Sequence, residues 1–180
     1  GTAMRFLTAF LAQIDDREFV ITGSTRMQER PIGILVDSLN ELGFEVRYLD
    51  KKGFPPLKII GKKNTKSEIK LDSTVSSQYI SALMLIAPSL ENGLKIILEG
   101  RIISKPYINL TLNILKKIGV KCSFKKNIIE IKNHSKSKIS QYTVESDWSS
   151  ASYFYSIVSL LDNATITLSN FFDNSFQGDS

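Results

Sequence analysis

An almost wholly apolar run, residues 79–87, opens with a cluster of small hydroxyl and amide side chains, Ser76-Ser77-Gln78, and the same design occurs twice more in the chain. Gly1-Thr2 heads an apolar run that reaches Ala12, and Asp147-Trp148-Ser149-Ser150 heads a third that begins Ala151-Ser152-Tyr153-Phe154. Other landmarks recur in the same order. A short strand ends in glycine, a polar loop carries an arginine, a cation-proline pair opens a helix, and a glycine follows that helix. Gly23 and Gly100, Pro31 and Pro106, Gly43 and Gly119, and Ser77 and Ser150 lie 77, 75, 76 and 73 positions apart. Solenoid units are mostly shorter, about 20–50 residues. A repeat of this length, completed nearly twice and begun a third time, therefore predicts duplicated α/β modules.

Each unit reads as helix, strand, helix, strand, strand, with a linking strand to the next. The spacing predicts strands at 18–22, 45–49, 57–60, 68–71, 94–99, 120–124, 128–132 and 142–145, separated by turn residues such as Gly53, Pro55 and Pro56. Ile32, Leu35, Val36, Leu39 and Leu42 follow the i, i+3, i+4, i+7 rhythm of a one-sided helix, with Pro31 expected at its first position and Gly43 at its end. Lys105-Pro106 opens a matching helix that stops at Gly119, whereas 23–29 and the polar stretch 133–140, with His134, read as solvated loops. The helices headed by hydroxyl groups are apolar all round, so they must be covered on every side. Helices inside and sheets outside satisfy that demand.

Composition narrows the classes. The chain has 180 residues, 42% hydrophobic and 23% charged, and a net charge of +5, which favours anionic partners: nucleic acid, anionic membrane or phosphorylated and carboxylated metabolites. A single cysteine (Cys122) and a single histidine (His134) exclude an internal disulfide and argue against a metal site. No apolar run reaches the ~18 residues of a membrane span. A soluble cytoplasmic protein is expected, without membrane attachment. The Gly-Thr-Ala start and the uncapped Gln-Gly-Asp-Ser end suggest a piece of something longer.

Ser76 or Ser77 can cap the first turn of its helix, whose N–H groups lack intrahelical partners and carry the positive end of the dipole. Such a mouth is also an anion site. The residues alone leave both readings open. Arg5, Arg30 and Lys105 lie at predicted helix N-termini, where the dipole disfavours a cation by about 0.3–1 kcal/mol. An anion held jointly by cations and free N–H groups would explain all three. For Arg30, pairing with Glu29 or Asp37 is the competing explanation, and Tyr107 is either interface packing or a hydroxyl donor.

Several blocks taken together resemble one family. They are Gly1-Thr2-Ala3-Met4-Arg5, Thr22-Gly23-Ser24, Arg26-Met27-Gln28-Glu29-Arg30-Pro31-Ile32, Gly53-Phe54-Pro55-Pro56-Leu57, Ser76-Ser77-Gln78-Tyr79, Ser104-Lys105-Pro106-Tyr107-Ile108 and Ser149-Ser150-Ala151-Ser152-Tyr153-Phe154. In this order along the whole chain they are similar to the shikimate branch of the enolpyruvyl transferases, the EPSP synthases.

The resemblance implies an α/β (α+β) fold of repeated βαβαββ modules, an inside-out α/β barrel that is incomplete here. Residues 1–143 would be most of the first lobe and 144–180 the crossing into the second. It implies transfer of the enolpyruvyl group of phosphoenolpyruvate to the 5-hydroxyl of shikimate 3-phosphate, with release of phosphate and no cofactor or metal. Gly1 and Arg30 then face phosphoenolpyruvate, Ser76, Ser77 and Ser104 with Tyr107 hold shikimate 3-phosphate, and Gln78 lies between the two. The family's proton-transferring aspartate and glutamate have no counterpart in these 180 residues, so no catalytic residue is expected here and the segment alone should be inactive. The implied protein is a monomer that binds no nucleic acid. The competing readings are a non-catalytic anion- or nucleic-acid-binding module on the same fold, and a related UDP-sugar enolpyruvyl transferase.

Overall fold

A computed structural model of the chain describes residues 1–102, 105–136, 139 and 141–180. The first unit runs through helix α1 (Thr2–Ala12), strand β1 (Glu18–Ile21), the single turn α2 (Thr25–Gln28), helix α3 (Gly33–Glu41), β2 (Glu45–Tyr48) and β3 (Leu57–Ile60). The second runs through β4 (Glu68–Asp72), α4 (Ser77–Ile86), β5 (Leu94–Glu99), α5 (Lys105–Lys117), β6 (Cys122–Lys125) and β7 (Ile128–Ile131). Helix α6 (Trp148–Ser159) follows.

The repeat in the sequence is a repeat of topology. One sheet has the order β1-β3-β2 and the other β4-β5-β7-β6. In both, the strand before the amphipathic helix pairs antiparallel with the last strand of the unit, and that strand pairs antiparallel with the one before it. The second sheet carries one more strand, β4, parallel to β5 across the crossover through α4. Burial alternates along the strands: Leu57 and Ile59, Ile69 and Leu71, and Leu94, Ile96 and Leu98 point inward. The outer faces carry charge, with Lys58 paired to Glu18 at 2.9 Å and Lys95 to Glu68 at 2.8 Å.

Helix α4 is the central element. From Tyr79 to Ile86 every side chain except Leu85 is buried, and the helix packs against α1 on one side and α5 on the other. Helices α1 and α4 run parallel and in step: Gln78 at the head of α4 bonds to Thr2 and Arg5 at the head of α1, and Ser89 past the tail of α4 bonds to Gln13 past the tail of α1. Helix α5 is one-sided, burying Ile108, Thr111, Leu112 and Leu115 and ending in Lys116 and Lys117, where the dipole favours cations. Gly43 and Gly119 follow α3 and α5 with φ of +100° and +99°, the left-handed helix stop expected of them. Helices α1, α4 and α5 pack together, but the expectation that every hydroxyl-headed helix is covered all round holds only for α4: α1 exposes Leu7 and Phe10, α6 buries only Ala151, and the barrel does not close.

Three expectations need correction. Pro31 is not the first residue of α3. That helix starts at Gly33, because the Pro31 carbonyl accepts the Tyr79 hydroxyl at 2.7 Å and the Ile32 N–H donates to the Gly53 carbonyl at 2.9 Å, which keeps the preceding residues out of the helix. Within the loop 23–29 the chain makes one helical turn, closed by Met27 and Gln28 N–H donating to the Ser24 carbonyl and by the Gln28 amide folding back onto Thr22 and Gly23.

The segment 142–145 forms no strand. Val144 stands 74% exposed, and its carbonyl accepts from the Asn170 amide at 3.1 Å instead of entering a sheet. The cap of α6 is Asp147, whose carboxylate accepts from the Ser149 N–H at 3.0 Å and the Ser150 hydroxyl at 2.6 Å. Those two bonds hold its carboxyl below the usual aspartate range, the Ser150 bond contributing most. The residues after α6 fold back as irregular chain, with Phe171 edge-on to Trp148 at a centroid distance of 4.7 Å.

Candidate functional site

The head of α4 opens into a cleft of about 500 Å³ between α1, α4 and α5. Ser76, Ser77 and Gln78 form one wall, Thr2 and Phe6 of α1 a second, and Tyr107 with Thr111 of α5 a third. The sequence places these groups there for local reasons. The Ser76 hydroxyl caps α4, accepting from the Gln78 N–H at 3.4 Å, which leaves the side chains of Ser77 and Gln78 on the first turn facing outward. Just upstream, the Asp72 carboxylate accepts the N–H and the hydroxyl of Thr74 at 2.8 and 2.7 Å, which fixes the turn into the helix and lowers the acid's pKa. On α5, Thr111 sits in the apolar stripe and bridges the Tyr107 carbonyl at 3.0 Å and the Ser81 hydroxyl at 2.9 Å.

Gln78 is the hub. Its Oε1 accepts from Arg5 Nη1 and its Nε2 donates to Thr2 Oγ1 at 3.0 Å. Arg5 is 7% exposed, its guanidinium carbon lies 5.2 Å from the centre of the Tyr79 ring, and its Nε has no partner among the described residues. The expectation that Arg5 offers its charge at the helix mouth is thus corrected: the side chain turns inward and steadies Gln78. A buried cation with no carboxylate paired to it among the described residues raises the positive potential of the cleft.

Of the seven residues singled out from the sequence, Ser76, Ser77, Gln78 and Tyr107 line this one cleft. Gly1 and Arg30 lie together at its α1 edge. A Cβ built on Gly1 would fall on the Arg30 guanidinium, 2.9 Å from Cζ, and Thr2 joins this pair to Gln78. Among the described residues Arg30 forms no ion pair with Glu29 or Asp37, which removes the competing explanation for that residue. Ser104 lies outside the described residues. Sequence reasoning missed Thr2, Tyr79 and the Ser81–Thr111 pair. A polar residue in the buried stripe of α5 and a tyrosine in an apolar helix were the available signals.

None of the described residues lining the cleft is acidic or a histidine. The arrangement can therefore hold an oxyanion by hydroxyls, an amide and the positive end of a helix, and it has no group suited to take or give a proton near neutral pH. Among the described residues no cluster of three His, Cys, Asp or Glu could hold a metal ion. No described helix is long and apolar enough to cross a membrane.

The chain is 50% identical over 180 residues to a 3-phosphoshikimate 1-carboxyvinyltransferase of Bacteroides fragilis (strain YCH46), covering 100% of this chain and 44% of that protein. It is 41% identical over 181 residues to the enzyme of the same name from Colwellia psychrerythraea, covering 99% and 42%. The chain thus spans less than half the length of these relatives. Its fold is similar to that of an EPSP synthase from Acinetobacter baumannii, with a TM-score of 0.70 at 24% identity over 86% of this chain and 34% of that one. The family model for EPSP synthase (3-phosphoshikimate 1-carboxyvinyltransferase) matches residues 1–180, and the chain belongs to the EPSP synthase family.

Proposed function

We propose that this chain is the anion-holding part of a 3-phosphoshikimate 1-carboxyvinyltransferase and works as a segment of a longer protein. In this reading residues 1–143 form most of one lobe and 144–180 lead into the other. Ser76, Ser77, Ser104 and Tyr107 hold shikimate 3-phosphate, Gly1 and Arg30 receive phosphoenolpyruvate, and Gln78 lies between them. The observation that carries the reading is the Gln78 hub, which ties the serine wall to α1, beside which Gly1 and Arg30 sit together.

The chemistry is an addition followed by an elimination. The 5-hydroxyl gives up its proton as its oxygen bonds to C2 of phosphoenolpyruvate and C3 gains a proton; C3 then loses a proton as the C2–O bond breaks and phosphate leaves with that bond's electron pair, which restores the vinyl group. The residues of this chain contribute by fixing two anions side by side, the positioning part of catalysis. The proton transfers fall to groups outside these 180 residues. The protein acts in the cytoplasm as a monomer.

The test is phosphate release from phosphoenolpyruvate in the presence of shikimate 3-phosphate. The full-length protein carrying this chain should release phosphate only with both substrates present, and the 180-residue chain should release none above a control without protein. Release by the short chain would overturn the division of labour, and absence of release by the full-length protein would overturn the assignment.

A further inference from the structure

The Tyr79 phenol has no part in the reading above, yet it is 5% exposed and its hydroxyl donates at 2.7 Å to the carbonyl of Pro31, 48 positions earlier in the chain. We propose that Tyr79 is the positioning residue for Arg30: it ties the head of α4 to the segment that carries the guanidinium and so fixes where that cation stands. The proposal rests on the function proposed above for its consequence in substrate binding, but its structural half is independent.

Three observations carry it. Residues 30–32 lie between the turn α2 and helix α3: the Ile32 carbonyl caps α3, accepting from the Leu35 and Val36 N–H groups at 3.1 and 3.2 Å, while Arg30 and Pro31 stand outside both helices. Pro31 has no N–H, so its own peptide groups can be anchored only through the carbonyl, and Tyr79 is what anchors it. The neighbouring N–H groups have their own ties, Arg30 to the Met27 carbonyl at 3.2 Å and Ile32 to the Gly53 carbonyl at 2.9 Å, and these hold the segment to α2 and to the turn before β3. The Tyr79 bond alone among these ties it to α4.

The anchor is stiff. The Tyr79 ring is buried beneath the Arg5 guanidinium at 5.2 Å, and Arg5 is bonded to Gln78, the residue before Tyr79. The ring therefore cannot swing away without disturbing Arg5 and, through it, the Gln78 amide. One tyrosine thus connects the cleft wall formed by Gln78 and the serines on its own helix to the segment of Arg30, which stands beside Gly1 next to Thr2 of the α1 wall.

Tyr79→Phe removes the hydroxyl and keeps the ring under Arg5, so the fold should persist. Hydrogen exchange of the Arg30 and Ile32 amides in the full chain should speed up about two- to tenfold, the worth of one hydrogen bond. In the full-length protein the KM for phosphoenolpyruvate should rise by a similar factor, with kcat and the KM for shikimate 3-phosphate changed less than about twofold. Ser38→Ala, which removes a buried hydroxyl that donates to the Ile34 carbonyl at 2.6 Å inside α3, serves as the control: it should lower stability without separating the two KM values. Unchanged exchange at Arg30 and Ile32 overturns the proposal. Faster exchange with an unaltered phosphoenolpyruvate KM also overturns it, since the tether would then hold the chain without placing the cation. If the unsubstituted full-length protein turns over neither substrate, the function proposed above fails, and exchange alone decides whether Tyr79 holds this segment.

Discussion

Replacing Gln78 by alanine tests whether the hub is structural as well as functional. Arg5 is 7% exposed as a residue, its Nε is buried and has no partner among the described residues, and its Nη1 bonds to Gln78 Oε1. Truncation would leave it little beyond the Tyr79 ring. A hydrogen bond to a charged group is worth about 1.5–3 kcal/mol, and stranding a buried cation moves the cost toward the upper end. The bond to Thr2 adds little, because Thr2 is exposed. A loss of about 2–3 kcal/mol at about 2–4 °C per kcal/mol in a chain of this size gives a melting temperature lower by about 4–12 °C.

Gln78→Glu should do the reverse. It keeps an acceptor for Arg5 and adds a compensating charge, so the melting temperature should match or exceed that of the original chain. The same carboxylate would stand beside Ser76 and Ser77 at the helix head, where it repels anions. Stability and substrate response therefore split: the alanine variant weakens both, and the glutamate variant weakens response to both substrates alone. Thermal unfolding by circular dichroism on the three chains, with steady-state kinetics on the full-length protein, reads both orders. As a reference, Ser150→Ala, whose exposed hydroxyl donates to Asp147 at 2.6 Å, should change stability slightly and leave substrate response untouched. An alanine variant melting within about 1 °C of the original, or a glutamate variant melting below it, would refute the reasoning.

Two further outcomes are expected. Gly61 packs so closely on the turn before β1 that a Cβ would fall on the Ile14 carbonyl oxygen and 2.7 Å from its carbon, so Gly61→Ala should cost about 1–3 kcal/mol or more, read by urea unfolding, and an unchanged midpoint would contradict the packing. Four carboxyls are held below their ordinary values of 3.8 or 4.5: Glu45 by Lys62, Asp72 by Thr74, Glu145 by Ser175 and Asp147 by Ser150. A folded-state pKa below the unfolded one gives stability that is present above the unfolded pKa and lost as pH falls through the folded one. Melting temperature should therefore hold level from pH 7 to 5 and decline below about pH 4.5; a rise on acidification would contradict these contacts.

What could be read from the sequence was whatever is local or periodic. The one-sided rhythm of α3 and α5, the glycines that stop them and the alternation along β5 are set by a side chain's own neighbours in the chain, so they survive without a tertiary structure. What could not be read depends on a distant partner. Pro31 looked like a first helical residue because its φ suits one, and Tyr79, 48 positions away, decided otherwise. Residues 142–145 have strand-forming side chains, but the Val144 carbonyl accepts from the Asn170 side chain and the next N–H, that of Ser146, donates to the Asn170 carbonyl of the returning tail. Arg5 looked like a cation at a helix mouth, and only the packing of α4 against α1 turns it inward.

That packing also gives the repeat its physical meaning. The separations of the contacts between α1 and α4 are those of the repeat itself: Arg5 to Gln78 spans 73 positions, and Thr2 to Gln78 and Gln13 to Ser89 each span 76. Equivalent residues of successive units therefore meet side by side, and the two helices stand parallel, head beside head. Parallel neighbouring dipoles repel, and their positive ends converge at one place. A fold that duplicates a hydroxyl-headed helix and stacks the copies in register concentrates positive potential at the shared mouth, and the buried Arg5 raises it further. An anion bound there offsets a strain that the stacking itself creates. That is why the serines of a single helix are ambiguous between cap and binding site, whereas the same serines beside the head of a second copy support the anion-holding role proposed above.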